Sequence, residues 1–340
     1  MPPIKVLVVD DSSSVREVIG CLLEESADIR IIGSAANGRE AIEMVTALQP
    51  DLITMDLIMP VMDGFEAIER IMATRPTPIL VITSCQESSS AFNAIENGAL
   101  EVISKNDLIA GQAKKLVETV KVLSRVRTIT HLRGNRHKSF PNYAKEHEYE
   151  NGSGKVIAIA ASTGGPNAIS TILSLLPQHF PSPILIAQHI DADFVSDMQM
   201  WLNGITPLQV KIARADEKIS GGIVYLAPGG YHLSLSSHGL IALTQKKQGE
   251  FYVPSCNLLL SSAADNYGHN AVGIILSGMS DDGVQGIKAI KRQGGATISQ
   301  DEKTSVVFGM PKIAIESGCI DYIMPVEKIG EALINIIKVK

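Results

Sequence analysis

Ile4-Lys5-Val6-Leu7-Val8-Val9-Asp10-Asp11, close to the start of the chain, sets the pattern from which the fold follows. A short, mostly apolar, β-branched run that stops abruptly at two carboxylates reads as a strand buried on both faces, as strands of parallel sheets are. Ser12-Ser13-Ser14 follows and starts a helix expected to run through Glu25. The unit then repeats. Strands are expected at 29–33, 51–56, 78–83 and 100–104, and helices at 37–48, 65–73, 91–97 and 109–124. In the second helix Ala41, Met44, Val45 and Leu48 fall on one stripe. Five strand–helix units in this order predict a doubly wound parallel sheet.

The same rhythm returns from Lys155 onward. Val156-Ile157-Ala158-Ile159-Ala160-Ala161 is a buried-strand run. Further strands are expected at 183–188, 224–228, 241–244, 271–276 and 296–299, and helices at 166–176, 194–203, 258–267, 284–293 and 311–317. The chain has 340 residues, more than a single core usually holds. Two α/β domains are therefore expected, at 1–124 and 154–340, joined by a flexible linker at 125–153. The linker is basic from Arg127 to Lys138 and polar from Tyr143 to Glu150. Its charges read first as a solvated tether, with contact to DNA or an acidic membrane surface as the alternative.

Composition narrows the function. Hydrophobic residues make up 45% and aromatics only 4%, so aliphatic side chains must fill both cores. A net charge of -6 gives no sign of a nucleic-acid surface. No apolar run reaches the ~18 residues of a membrane span, and the MPPIKVLVVDD start lacks the basic and apolar regions of an export signal. A cytoplasmic protein without direct membrane insertion is expected. Cys21, Cys85, Cys256 and Cys319 are far apart, with no C-x-x-C pair, and read as core or half-buried thiols.

In the first domain Asp10 and Asp11 end one strand and Asp56 ends another. Strand ends at a switch point form the ligand crevice of an open parallel sheet. Carboxylates converging there repel unless a cation joins them, and such oxygen ligands suit Mg²⁺. Thr83 and Lys105 end two more strands and offer a hydroxyl and an ammonium to phosphoryl oxygens on Asp56. For Asp11 alone, a helix-cap or turn role is the simpler reading.

These residues closely resemble the receiver domain of bacterial response regulators, over residues 4 to about 123. The resemblance rests on Val8-Val9-Asp10-Asp11-Ser12, Met55-Asp56-Leu57-Ile58-Met59-Pro60-Val61-Met62-Asp63-Gly64, Ile82-Thr83-Ser84 and Lys105. It implies that Asp56 accepts a phosphoryl group from a histidine kinase. It implies that Asp10, Asp11 and Asp56, with the Ile58 backbone carbonyl, hold Mg²⁺, and that Thr83 and Lys105 stabilise and read the phosphoryl group. Asn106 stands where that family often has Pro, and Val102 where many members carry an aromatic residue.

In the second domain Ala160-Ala161-Ser162-Thr163-Gly164-Gly165-Pro166 joins a buried strand to a helix. Glycines permit a sharp turn and Pro suits a first helical turn, so Ser162 is displayed beside helix-start N–H donors. A phosphate-cradling turn is the alternative reading. His189 ends the next expected strand and can serve as the base that serine needs. Leu276-Ser277-Gly278-Met279-Ser280-Asp281-Asp282-Gly283 brings two aspartates, either of which can orient the imidazole. The order Ser, His, Asp differs from that of α/β-hydrolases, and their G-x-S-x-G turn is absent.

Together these stretches closely resemble the catalytic domain of CheB-type chemotaxis methylesterases, over about 154 to 337. Tyr225-Leu226-Ala227-Pro228-Gly229-Gly230-Tyr231-His232-Leu233 and Ser305-Val306-Val307-Phe308-Gly309-Met310-Pro311 add to the match. The resemblance implies catalytic Ser162, Thr163, His189 and Asp282, with the Met279 backbone N–H in the oxyanion hole and no cofactor for the esterase step. It implies hydrolysis of glutamyl methyl esters on chemoreceptors, methanol release, and in many members deamidation of receptor glutamines. Asp281 replaces the usual Asn, Asn257 the usual Asp and Ser261 the usual Arg. The rival readings are a receiver-gated adaptor, a related hydrolase acting on a non-chemotaxis receptor, and a transcriptional regulator, which lacks its basic recognition helix here.

Overall fold

The computed structural model describes residues 2–84, 91–109, 113–126, 154–247, 249–250 and 252–338. The chain divides into two compact units, Met1–His137 and Lys138–Lys340. The expected linker lies, beyond Val126, outside the described residues.

The first unit runs β1 (Ile4–Val9), α1 (Ser13–Glu24), β2 (Ile29–Ala35), α2 (Gly38–Leu48), β3 (Leu52–Met55), α3 (Gly64–Thr74), β4 (Ile79–Thr83), α4 (Ala91–Glu96), β5 (Glu101–Ser104), α5 (Lys105–Ile109) and α6 (Ala113–Leu123). Its strands form one sheet in the order β2-β1-β3-β4-β5, every pair parallel. The helix starts follow local chemistry: Ser12, Asn37 and Asp63 each cap a helix by accepting backbone N–H groups. One helix expected at 109–124 is in fact preceded by a separate short one, α5. Its start uses the Asn106 N–H, which donates to the Ser104 hydroxyl at 3.2 Å, a bond that Pro at 106 cannot make.

The second unit runs β6 (Val156–Ala161), α7 (Gly165–Ser174), β7 (Ile184–Gln188), α8 (Val195–Ile205), β8 (Gln209–Ile212), β9 (Ile223–Leu226), β10 (Tyr231–Ser236), β11 (Leu240–Gln245), α9 (Cys256–Tyr267), β12 (Ala271–Ile275), α10 (Val284–Arg292), β13 (Ala296–Gln300), α11 (Met310–Glu316), β14 (Tyr322–Met324) and α12 (Val326–Lys338). Seven strands form a parallel sheet in the order β14-β13-β12-β6-β7-β9-β8. β10 and β11 form a separate antiparallel hairpin. The central strands β6, β7 and β12 are buried along their whole length, as a sheet covered by helices on both faces requires.

Both domains are thus doubly wound parallel-sheet α/β folds. β8, β10, β14 and α12 add to the elements read from the sequence. β14 is an edge strand with two of three residues exposed, which gives it no apolar signature. No helix among the described residues is long and apolar enough to cross a membrane.

Candidate active site and phosphoacceptor pocket

In the first domain β1 and β3 are neighbours with Val9 opposite Met55. Asp10 and Asp56, the next residue on each strand, therefore stand side by side. Both are buried, Asp10 fully, whereas Asp11 is exposed. One ligand atom from each of Asp10, Asp11 and Asp56 falls within 4.8 Å of the others. β4 and β5 pair with Thr83 opposite Ser104, which brings buried Thr83 and Lys105 to the same sheet edge. The Lys105 ammonium bridges Asp10 Oδ2 at 2.8 Å and Asp56 Oδ2 at 2.7 Å.

Local backbone supports this pocket. The Leu57 N–H donates to Asp56 Oδ1 at 2.8 Å, the Ser12 N–H to Asp10 Oδ1 at 2.9 Å, and Arg16 Nη1 to the Asp10 carbonyl at 2.6 Å. Gly64 closes the turn after β3, where a Cβ would lie 2.1 Å from the Asp56 carbonyl oxygen. Burial pushes the Asp56 carboxyl above its ordinary value, and the Lys105 hydrogen bond and charge only partly offset it. Burial pushes Lys105 the other way, but its two carboxylate partners win and hold its ammonium more tightly than usual. The all-oxygen donor set fits Mg²⁺. The Ile58 carbonyl, which accepts no hydrogen bond among the described residues, fits the same role.

In the second domain Ser162, His189 and Asp282 all lie beyond the carboxyl ends of three adjacent central strands. Ser162 follows β6, His189 follows β7, and Asp282 sits in the loop after β12. Ala161 pairs with Gln188, which sets Ser162 and His189 next to each other along the sheet edge. The turn that carries Ser162 needs its glycines. Gly164 has φ +76°, and a Cβ there would lie 2.5 Å from Val306 Cβ. A Cβ on Gly165 would lie 2.1 Å from Gln188 Oε1. Gln188 Nε2 in turn donates to the Ser162 and His189 carbonyls, both at 2.9 Å, tying the two strand ends together.

His189 Nε2 lies 2.9 Å from Asp282 Oδ2. Burial alone would push the Asp282 carboxyl up. The His189 hydrogen bond and the N–H groups of Asn257 and Cys256 overcome it and hold Asp282 below its ordinary range. Asp282 is therefore a carboxylate, acceptor-only, so the proton between them sits on Nε2, and the tautomer this selects for a neutral imidazole has its lone pair on Nδ1. The Ser162 hydroxyl makes no hydrogen bond to His189 in this structure. Tyr252 stacks on the imidazole with ring centroids 5.1 Å apart and planes 15° from parallel.

The cradle of Asp282 is not readable from the sequence. It is the start of α9. Asn257 N–H donates to Oδ1 at 2.9 Å, Cys256 N–H to Oδ2 at 2.7 Å and Ser255 Oγ to Oδ1 at 3.2 Å. A carboxylate at a helix N-terminus meets free N–H groups and the favourable end of the dipole. Behind it, His232 Nδ1 accepts the Ser255 N–H at 3.0 Å, and His232 Nε2 lies 3.0 Å from Glu250 Oε2. Cys256 is fully buried, with Sγ 3.4 Å from His189 Nε2 and 3.4 Å from the Ala187 carbonyl; burial and the Asp282 charge push its thiol well up.

Asp281 is exposed, and the carboxylate bound to His189 is that of Asp282 alone. Thr163 is buried and its carbonyl accepts the Ser277 hydroxyl at 2.7 Å. The Met279 N–H has no acceptor among the described residues, and the Gly278 before it lies against Ser162, where a Cβ would come 2.8 Å from Ser162 Cβ. Asn257 turns inward rather than toward a substrate, its side chain accepting the Gly286 N–H at 3.0 Å. Cys21 is exposed rather than half-buried, Cys319 is intermediate, and Cys85 lies outside the described residues.

Comparison with known proteins accords with this geometry. The family model for CheB methylesterase matches residues 157–333, and that for the response regulator receiver domain matches residues 6–120. A protein-glutamate methylesterase/protein-glutamine glutaminase 3 of Paramagnetospirillum magneticum is 39% identical, over 98% of this chain and 96% of that protein. A protein of the same name, numbered 1, from Syntrophus aciditrophicus is 39% identical over 98% of each. The crystal structure of the Thermotoga maritima CheB methylesterase catalytic domain is 37% identical with a TM-score of 0.52, covering 55% of this chain and all of that one. With Ser162, His189 and Asp282 gathered at one sheet edge and a carboxylate pocket in a separate sheet, the chain belongs to the CheB methylesterase family and carries a response regulator receiver domain ahead of the catalytic one.

Proposed function

We propose that this chain is a phosphorylation-regulated protein-glutamate methylesterase that acts on methylated chemoreceptors, releases methanol, and also deamidates receptor glutamines. The observation that carries the reading is the His189–Asp282 hydrogen bond at the edge that displays Ser162. Nδ1 of His189 takes the Ser162 proton as Oγ adds to the ester carbonyl. The Met279 N–H steadies the oxyanion, and Thr163 shapes the turn beside it. Nδ1–H then protonates the departing methoxide, which leaves as methanol. Water, deprotonated by the same Nδ1, cleaves the acyl-serine to free glutamate and Ser162. Asp282 stays ionised throughout and stabilises the imidazolium.

In the receiver, Asp56 accepts the phosphoryl group from a histidine kinase. Asp10, Asp11, Asp56 and the Ile58 carbonyl would hold Mg²⁺, which neutralises charge on the phosphoryl oxygens when bound. Lys105 and Thr83 take the remaining phosphoryl oxygens. The domains are assigned as 1–124 and 154–340 with a tether between them, and the protein is placed in the cytoplasm, where kinase and receptor tails meet it.

The test is methanol release from methylated receptor, with and without a small-molecule phosphodonor. Ser162→Ala should lower release by about 10³-fold or more while Asp56 still takes up phosphate. Asp56→Asn should remove the response to phosphodonor. Unchanged release in Ser162→Ala would refute the assignment.

A further inference from the structure

His189, Cys256 and Asp282 come from three separate elements, yet one ligand atom of each lies within 4.8 Å of the others. Nε2 to Oδ2 is 2.9 Å and Nε2 to Sγ is 3.4 Å. Zinc bonds of about 2.0–2.3 Å in a tetrahedron set ligand atoms roughly 3.5 Å apart. The three donors are thus already close to the edges of such a site. Their kinds are an imidazole nitrogen, a sulfur and a carboxylate, a set that selects zinc-like ions and not Mg²⁺. The outer contacts that hold metal ligands in place are also present: Asp282 is fixed by the Asn257 and Cys256 N–H groups and by Ser255 Oγ.

We propose that this cluster is a zinc-binding inhibitory site, in which one Zn²⁺ is held by His189 Nε2, Cys256 Sγ and Asp282 Oδ2 with water as the fourth ligand. Binding displaces the thiol proton to solvent. The imidazole proton moves from Nε2 to Nδ1, and the Nε2 lone pair turns to the cation. The Nδ1–H that results has no lone pair for the Ser162 proton, so the base is disabled without any change to Ser162 itself. The cation enters beside Tyr252, which stacks on the imidazole and is 46% exposed. The inhibitory consequence rests on the proposed esterase chemistry; the binding site does not.

The full chain, kept in excess Mg²⁺ so that the receiver carboxylates are occupied, is titrated with Zn²⁺ and separately with Co²⁺. Co²⁺ should give a near-ultraviolet thiolate-to-cobalt band and strong visible bands of a tetrahedral centre. Zn²⁺ should abolish both, and should suppress methanol release until a chelator restores it. For Cys256→Val and Cys256→Ser the cobalt thiolate band should vanish. The zinc concentration for half-inhibition, taken relative to each variant's own zinc-free rate, should rise by about tenfold or more. A missing cobalt band in the unaltered chain, or equal zinc sensitivity in both variants, would overturn the proposal. A cobalt band with no methanol release in any protein would uphold the site and instead sink the esterase reading.

Discussion

His189 presents Nε2, not Nδ1, to Asp282, with 2.9 Å between Nε2 and Oδ2. Because Asp282 is held as a carboxylate by its own cradle of N–H donors, the proton shared between the two sits on Nε2, and in the neutral imidazole Nδ1 carries the lone pair. The acid is buried at the start of α9, and its neighbour Asp281 faces solvent. Two adjacent acids therefore do different work, one bound to the imidazole and one exposed.

Asp282→Asn should cut kcat/KM for methanol release by about 10³- to 10⁴-fold, because a carboxamide no longer fixes the tautomer or stabilises the imidazolium. Asp281→Asn should change it by less than about threefold, because Asp281 is exposed and its carboxylate does not bind the imidazole. Methanol release from methylated receptor by both variants separates the two acids.

The same shift governs acid stability. The folded-state carboxyl of Asp282 titrates below its ordinary 3.8. Its contribution is fully present above that value and is lost as pH falls through the lower folded-state value. The melting-temperature gap between the unaltered chain and Asp282→Asn should therefore narrow as pH drops from about 5 toward 3. A gap that widens in acid would contradict the direction of the shift.

Ser255 and His232 act on Asp282 from behind. Ser255→Ala removes both the helix cap on Leu258 and a hydrogen bond to Asp282, and should cost about 1 kcal/mol of stability with a roughly five- to tenfold fall in kcat. His232→Ala strands the Ser255 N–H and should cost about 1–3 kcal/mol, whereas His232→Asn, which supplies another acceptor, should recover part of it. Denaturant unfolding measures the stability, and paired kcat and KM values show whether binding is spared.

Lys105→Met should leave Asp10 and Asp56 buried without their cation. In the absence of Mg²⁺ the receiver should lose about 3–5 kcal/mol at neutral pH, since removing one partner strands a buried charge. Asp56, already raised by burial, should rise further without Lys105. A raised carboxyl binds its proton more tightly in the folded state, so stability falls as pH rises through the interval between 3.8 and the folded value. The deficit of Lys105→Met should therefore grow as pH rises from 3.8 through the folded-state value in chemical unfolding, and added Mg²⁺ should shrink it.

Much of the architecture was legible in local patterning. β6 reads as a strand because every one of its residues is apolar and buried, and β1 reads the same way from Val6 to Val9. α12 was not read from the sequence, although Val326, Ile329, Leu333 and Ile337 form its buried face. Nor were β8 and β14, because sheet-edge strands with exposed residues lose the uniform apolar run.

Local patterning was enough for the central strands of both doubly wound sheets and the residues at their ends, because burial on both faces demands continuous apolar runs and the polar residues that follow each run mark its tip. It also named Ser162, His189, Asp56 and Lys105 as candidates. Spacing left Asp281 and Asp282 both open and the family resemblance implied Asp282; its contact with the histidine, and which nitrogen it meets, was decided only in three dimensions. So was the placing of Cys256, 67 positions from His189 in the chain, within 3.4 Å of its Nε2. The reason is that a strand tip is a local property, whereas the cradle of Asp282 is made where the start of α9 packs against the loop after β12, and no period or spacing in the chain encodes that meeting.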